Sequence, residues 1–313
     1  MNLQSEPRVV SLLPSATEMV CALDAADLLV GISHECDYPE AIRNRRVLTR
    51  SRIDPSGSSR EIDTAVRAAL VREALSVYEV DDVGLAALEP DVVVTQDLCE
   101  VCAVSLDDVR TAVARLAHRE NVRIVSLRPT RLADVLSDVD RVASALGRES
   151  LGASLRTSLE ARINAIAERA AQVTDRPRVA TVEWIDPIML GGTWMPELIE
   201  LAGGTPVGVS TGEPSPTIAA QVLAELEPDV VLIKPCGFSL ERALEERDVI
   251  AKSICAAVGR DACVVVTDGN AFFNRPGPRL VESLEILAAT VHPELFPDFR
   301  LKHADVVRLL DPC

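Results

Sequence analysis

Leu85-Ala86-Ala87-Leu88-Glu89-Pro90-Asp91-Val92-Val93-Val94 returns, with few changes, as Leu223-Ala224-Glu225-Leu226-Glu227-Pro228-Asp229-Val230-Val231-Leu232, and Arg8-Val9-Val10 has its counterpart in Arg178-Val179-Ala180. The chain therefore reads as two copies of one α/β unit. Each passage is a helix end, a Pro-Asp turn and a strand, because a short β-branched run without polar alternation suits a strand covered on both faces. The first copy runs on into Gln96-Asp97-Leu98-Cys99-Glu100-Val101-Cys102 and the second into Lys234-Pro235-Cys236-Gly237-Phe238. Both place thiols just beyond the carboxyl end of a strand, the edge at which open α/β sheets bind ligands.

The bulk numbers narrow the field. A chain of 313 residues with 48% hydrophobic content is long enough for two domains with their own cores. The formal charge of −16, with no Lys/Arg cluster to offset it, argues against nucleic acid as a partner. No stretch approaches the ~18 uninterrupted apolar residues of a membrane span. Met1 leads into the strand at Val9 without a basic start or an apolar leader, so the expected location is cytoplasmic. In that compartment the eight cysteines are expected to be reduced thiols or metal ligands.

In the first half the strand signals are Arg8 to Leu13, Leu28 to Ile32, Val92 to Thr95 and Val122 to Leu127. A helix opens at Pro14, with Ser15 as its cap and Glu18 in the capping-box place. Ile53 to Arg60 reads as a long exposed loop before a helix around Glu61 to Leu75. Thr130 to Gln172 has no strand signal and carries apolar residues at helical spacing, broken at Gly147, which predicts one long helix or two helices meeting there. The second half repeats the pattern, with strands Arg178 to Glu183, Val230 to Ile233 and Cys263 to Thr267. Its helices are Pro196 to Ala202, Thr217 to Leu226 and Arg279 to Val291. The expected division is an N-terminal α/β lobe 1–129, a connecting helical segment 130–174 and a C-terminal α/β lobe 175–313.

Arg8 to Glu18, the repeated Leu-x-x-Leu-x-Pro-Asp-Val-Val element and the closing Asn274-Arg275-Pro276-Gly277-Pro278-Arg279 resemble the vitamin B12 and iron-siderophore substrate-binding proteins of ABC transporters. The resemblance runs from Arg8 to about Phe296. It implies an α/β fold of two Rossmann-like lobes joined by a long interdomain helix, with a ligand cleft between them and little relative motion. The ligand it implies is a metal-containing small molecule, cobalamin or another corrinoid, or a metal chelate. Those proteins dock on an ABC permease through a glutamate on each lobe. Around those places this chain has Val83 with Gly84 and Ala220 with Gln221, although Asp81, Asp82 and Glu213 are near. The docking glutamates are thus not evident, which points to a cytosolic relative.

The loops at the strand ends would line such a cleft. The chain has only two Trp, two Tyr and five Phe, and Tyr38, Trp184, Trp194, Phe238, Phe272 and Phe273 all fall in these loops. Flat apolar side chains suit a planar or macrocyclic ligand, with Phe272 and Phe273 alternatively packing the domain edge. Glu183 and Arg275 are the polar ligand-contact candidates, and Lys234 lies beside them. Cys36, Cys99, Cys102 and Cys236, with His34, occupy the same loops. Thiolates and an imidazole suit zinc, copper(I), cobalt or an iron–sulfur cluster, while the alternative is inert packing. Cys21, Cys255 and Cys263 read as core thiols and Cys313 as incidental. No phosphate-cradling glycine loop, Gly-x-Ser-x-Gly elbow or His-Glu-x-x-His is present. The Glu183 and Asp186 pair is a weak basis for catalysis. Two readings result: a non-catalytic binding protein for a corrinoid, and a cytosolic metalloprotein whose cleft cysteines hold zinc or an iron–sulfur cluster directly.

The two readings separate at Cys99 and Cys102. In the metalloprotein a Cys99→Ser, Cys102→Ser double substitution abolishes bound metal, read by elemental analysis, and leaves the circular dichroism spectrum unchanged. In the corrinoid binder the same change costs on the order of 1 kcal/mol of ligand affinity through altered packing. Full retention of metal by the double variant would end the metalloprotein reading.

Overall fold

In the computed structural model, which describes residues 6–73, 77–96, 110–111 and 122–310, each repeated decapeptide carries an aspartate that ties together three strands. Arg8 donates its backbone N–H to Asp91 Oδ2 at 2.8 Å. The N–H of Asp91 donates to the Arg8 carbonyl, and the Asp91 carbonyl accepts from Arg123 N–H, each at 2.9 Å. The second copy repeats this: Arg178 N–H donates to Asp229 Oδ2 at 2.7 Å, Asp229 N–H to the Arg178 carbonyl and Cys263 N–H to the Asp229 carbonyl, each at 2.8 Å. The turn before each aspartate is also shared, since Glu89 and Glu227 both take the left-handed conformation at φ 43°, which ends the helix. The arginine side chains close the helix ends. Arg8 Nε donates to the Leu88 carbonyl, and Arg178 donates to the carbonyls of Glu227 and Leu226, satisfying acceptors that a helix terminus leaves open.

Two sheets grow from these ties, the first parallel throughout. The first has the order β3-β2-β1-β6-β7, with β1 Val9–Ser11, β2 Leu29–Ile32, β3 Arg46–Val47, β6 Val92–Gln96 and β7 Arg123–Leu127. A separate antiparallel pair, β4 Thr49–Ser51 and β5 Tyr78–Val80, lies beside it in sequence. The second has the order β10-β8-β11-β12-β13, with β8 Arg178–Trp184, β10 Thr205–Pro206, β11 Val230–Ile233, β12 Cys263–Thr267 and β13 Val307–Leu309; β9 Met189–Leu190 pairs with β8. It is parallel except where β13 pairs with β12 and β9 with β8. Register preserves the repeat: Val9 pairs with Val92 as Val179 pairs with Val230. Val9, Val10, Val93 and Val94 in the first sheet and Val179, Val182, Val231 and Ile233 in the second are wholly buried. At about 1.5–3 kcal/mol for each buried aliphatic side chain, these runs drive the two cores.

The chain divides into two compact units. The first comprises Met1–Gly57, Thr64–Pro129 and Ala133–Ser158; the second comprises Ser58–Asp63, Thr130–Leu132 and Leu159–Cys313. In sequence, two helices lie between β7 and β8, Leu132–Leu146 and Glu149–Ala170. They are separated where Gly147 adopts φ 66° and Arg148 N–H bonds back to the Ala143 carbonyl at 2.8 Å, the glycine C-terminal stop. No helix among the described residues is long and apolar enough to cross a membrane.

Three local expectations are corrected. Ser15 does not cap the first helix. That helix begins at Pro14 with Leu13 in the cap position and no side-chain cap bond, because proline lacks an N–H and its fixed φ suits the first helical position. Ser59 is not in an exposed loop; it starts the helix Ser59–Glu73 and is 1% exposed. Cys255 is not a free core thiol, because it is buried and disulfide-bonded.

The final helices are pinned by one buried carboxylate. Glu285, on the helix Leu280–Val291, is 4% exposed. It accepts from Arg162 at 2.7 Å and Lys302 at 2.6 Å, and lies 2.8 Å from His303 Nε2. Burial by itself would raise its pKa, but the bonds from His303, Lys302 and Arg162 outweigh it and hold the carboxyl at about 2, against an ordinary 4.5. A carboxylate depressed in the folded state stabilises it above the unfolded pKa, and that contribution is lost as pH falls from about 4.5 to about 2. Urea denaturation should show Glu285→Gln destabilised by about 3 kcal/mol at pH 7, with the gap to wild type closing across this window. A gap that does not change with pH would refute the assignment.

Candidate functional site

In the second unit the carboxyl ends of β8, β11 and β12 gather the polar chemistry. Lys234 directly follows β11 and is 1% exposed. Its ammonium donates to Glu183 Oε2 at 3.0 Å and to Asn274 Oδ1 at 2.6 Å. Asn274 returns two bonds through Nδ2, to the carbonyls of Lys234 and Gly269. A lysine so buried is tolerable only with such partners. The segment after β12 therefore lies tightly on the turn after β11, and at Gly269 a Cβ would sit 2.2 Å from the Pro235 carbonyl oxygen. Asp268 Oδ1 accepts the N–H groups of Asn270 and Ala271. Burial raises its pKa, and these bonds only partly oppose the rise. Arg275, 7% exposed, donates to Asn270 Oδ1 at 2.9 Å.

The aromatic residues divide into two groups. Trp194, Phe238 and Phe273 are 6%, 5% and 0% exposed. Trp194 Nε1 donates to the Phe273 carbonyl at 2.9 Å, while Phe273, at φ 66°, donates its N–H to Ser283 Oγ. Phe238 lies beneath the Arg242 guanidinium at 4.2 Å. These three are buried within the second unit, and for Phe273 this agrees with the packing alternative. Large rings bury the most apolar area per residue, so a chain with few of them uses them there. Trp184 and Phe272 are half-buried and Tyr38 is 48% exposed. Trp184 stands 5.3 Å from Phe238 and gives its indole N–H to the Ser59 carbonyl at 3.1 Å.

In the first unit the carboxyl edge is lined with hydroxyls. Thr17 Oγ1 bonds Ser11 Oγ at 2.8 Å and lies 3.0 Å from Cys36 Sγ, so the 5% exposed Cys36 is held in a local hydrogen bond. Thr49 Oγ1 donates to Ser33 Oγ and meets His34 Nδ1 at 2.6 Å. The His34 ring packs on Tyr78 at 5.0 Å. Its Nε2 lies 3.2 Å from Glu35 Oε1 without a hydrogen bond. Among the described residues the hydroxyls of Ser15 and Thr95 are buried without a partner. Orphan polar groups of this kind are rare in protein interiors. The sequence marks Ser15 only as a helix cap and does not mark Thr95, since only packing shows that a serine or threonine is buried.

Among the described residues no three His, Cys, Asp or Glu side chains converge as a metal ion would require. Cys99 and Cys102 lie outside the described residues. Cys236 is a free, half-buried thiol whose N–H donates to the Glu183 carbonyl. Cys21 is raised to about 11 by burial and then by Glu18, which leaves it protonated and unreactive at neutral pH.

The family model described as periplasmic binding protein matches residues 9–254. A cobalamin-binding protein of Halobacterium salinarum is 25% identical over 305 residues, covering 93% of this chain and 71% of that protein. Among solved structures, a periplasmic heme-binding protein of Pseudomonas aeruginosa matches with a TM-score of 0.68 at 20% identity, over 92% of this chain and 94% of its own. The periplasmic vitamin B12 binding protein BtuF of Vibrio cholerae matches with a TM-score of 0.64 at 17% identity, over 92% and 97%. At these identities the structural likeness is one of fold, with α/β lobes built on parallel sheets.

The Lys234 network generates a direct test. Lys234→Ala leaves Glu183 and Asn274 facing a void and should destabilise the protein by about 3 kcal/mol, whereas Lys234→Met fills the space and should cost less. Urea denaturation followed by circular dichroism distinguishes them, and equal stability of wild type and Lys234→Ala would show that the buried ammonium is not what holds this edge.

Proposed function

The chain belongs to the periplasmic binding protein family, and from that premise we propose that it is a non-catalytic binding protein for a metal-containing small molecule, a corrinoid such as cobalamin. One observation carries the reading. The amino edges of both sheets are closed by their own Arg–Asp ties, while the carboxyl edges hold hydroxyls that are buried without partners among the described residues and the half-buried Trp184. Ligands of open α/β sheets bind at that edge. The cobalamin-binding relative supports a corrinoid as the first candidate, and the heme-binding structural relative supplies the comparison ligand.

The proposal extends to a protein that works in the cytoplasm without a permease. Its support is the first turn of the helix Asp82–Leu88, where Val83 is 75% exposed. The carboxylate of Asp81 is already engaged there by Gly84 N–H and Arg46. Direct metal binding through Cys99 and Cys102 is the second reading.

Anaerobic purification, elemental analysis and a visible spectrum test both. A corrinoid binder takes up cyanocobalamin with one cobalt per chain and a shifted corrin spectrum, and Trp184→Ala weakens that uptake with little loss of fold stability. A protein that ignores cyanocobalamin but carries zinc, or iron with sulfide, abolished by the Cys99→Ser, Cys102→Ser change, would replace this proposal with the metalloprotein.

A further inference from the structure

Ser58–Asp63 belongs to the second unit, although Gly57 before it and Thr64 after it belong to the first. The chain leaves the antiparallel pair β4–β5 after Ser51 and rejoins it at Tyr78, and the helix Ser59–Glu73 lies in the connection between them. Its first turn is gripped on every polar atom of Ser59. The backbone N–H donates to Glu246 Oε1 at 2.6 Å and the hydroxyl donates to Glu246 Oε2. The carbonyl accepts the Trp184 indole N–H at 3.1 Å. Arg60 forks onto Asp186, Nε to Oδ2 and Nη2 to Oδ1, both at 2.8 Å. A carboxylate at a helix N-terminus and a bidentate guanidinium are strong contacts. The Arg60 side chain is nonetheless 74% exposed, where water competes for it and the pair can exchange.

The groups held by this turn sit at the ligand edge. Trp184 ends β8 and Asp186 follows it, and Glu246, 6% exposed, also accepts from Arg242 at 3.1 Å. We propose that Ser58–Asp63 is a releasable latch: closed, it occupies the Trp184 indole N–H and the carboxylates of Asp186 and Glu246, and open, it hands them to the ligand. What it uncovers is one donor and two acidic acceptors. A carboxamide group satisfies both kinds at once, whereas a ligand carboxylate meets like charge. The site therefore selects a ring bearing amide side groups, as corrinoids do, over one bearing propionates, as heme does. This selection rests on the binding reading above; the latch does not.

The test has one arm without ligand and one with. In hydrogen–deuterium exchange, Arg60→Ala and Ser59→Gly should speed exchange of the 57–63 segment several-fold, and acrylamide should quench Trp184 fluorescence more strongly. The pair Arg60→Asp, Asp186→Arg should restore both. In stopped flow, cyanocobalamin should associate about tenfold faster with Arg60→Ala, while hemin binds weakly to wild type and variant alike. Unchanged exchange and quenching in Arg60→Ala and Ser59→Gly overturn the latch whatever the ligands do. Faster exchange with unchanged cyanocobalamin association, in a protein that binds it, overturns it equally. Tight hemin binding overturns the amide selection. If wild type binds neither compound, the corrinoid reading fails and the exchange and quenching arm alone decides the latch.

Discussion

A single aspartate at the amino end of each central strand is the constraint on which both sheets depend. Asp91 and Asp229 each bond the strand before them in space through an arginine backbone and the strand after them through their own carbonyl. Parallel strands cannot be set in register by a hairpin turn, because their connections are long. A side chain that bonds one neighbour while its backbone bonds the other supplies that register locally. The arginine partner then covers the preceding helix end. Each amino edge has thus spent its polar groups on itself.

The carboxyl edges are where the two copies diverge. In the first unit, Ser, Thr, Cys and His side chains form short hydrogen-bonded chains and leave Ser15 and Thr95 without partners among the described residues. In the second, Lys234 draws Glu183 and Asn274 into a buried knot that fixes the segment following β12. One edge is neutral and hydroxylic; the other is ionic and ringed by aromatic residues. A repeated scaffold has therefore been given two different chemistries, one in each unit. The proposed latch Ser58–Asp63 belongs to the second unit and comes from a helix outside its sheet.

Family membership and the buried polar groups at the strand ends agree on binding as the function. The thiols remain a distinct chemical theme. Cys36 is committed to Thr17, Cys21 is kept protonated and Cys255 is disulfide-bonded. The cysteines are consequently not one population, and a shared role for all of them is not what their surroundings describe.

Much of the fold was legible without coordinates. The repeat, the central strands from Val9, Val92, Val179, Val230 and Cys263, and the break at Gly147 follow from periodicity, β-branched runs and glycine, all of which act over a few neighbouring residues. The short strands Arg46–Val47, Thr49–Ser51, Thr205–Pro206 and Val307–Leu309 were not, since two or three residues carry no period and pair only because a neighbour is already in place. The loops after β2, β8, β11 and β12 follow strands as read from the sequence, the one after Gln96 lies outside the described residues, and burial within them was not legible. Trp194, Phe238 and Phe273 are buried, while Ser15, Thr95, Ser59 and Glu246 proved to be buried polar groups. Burial of a polar atom, and the partner that makes it tolerable, depend on residues as far apart in sequence as Ser59 and Glu246. Sequence determined the elements because their forces are local; only tertiary structure decided which side chains face each other, because that depends on contacts the chain order does not contain.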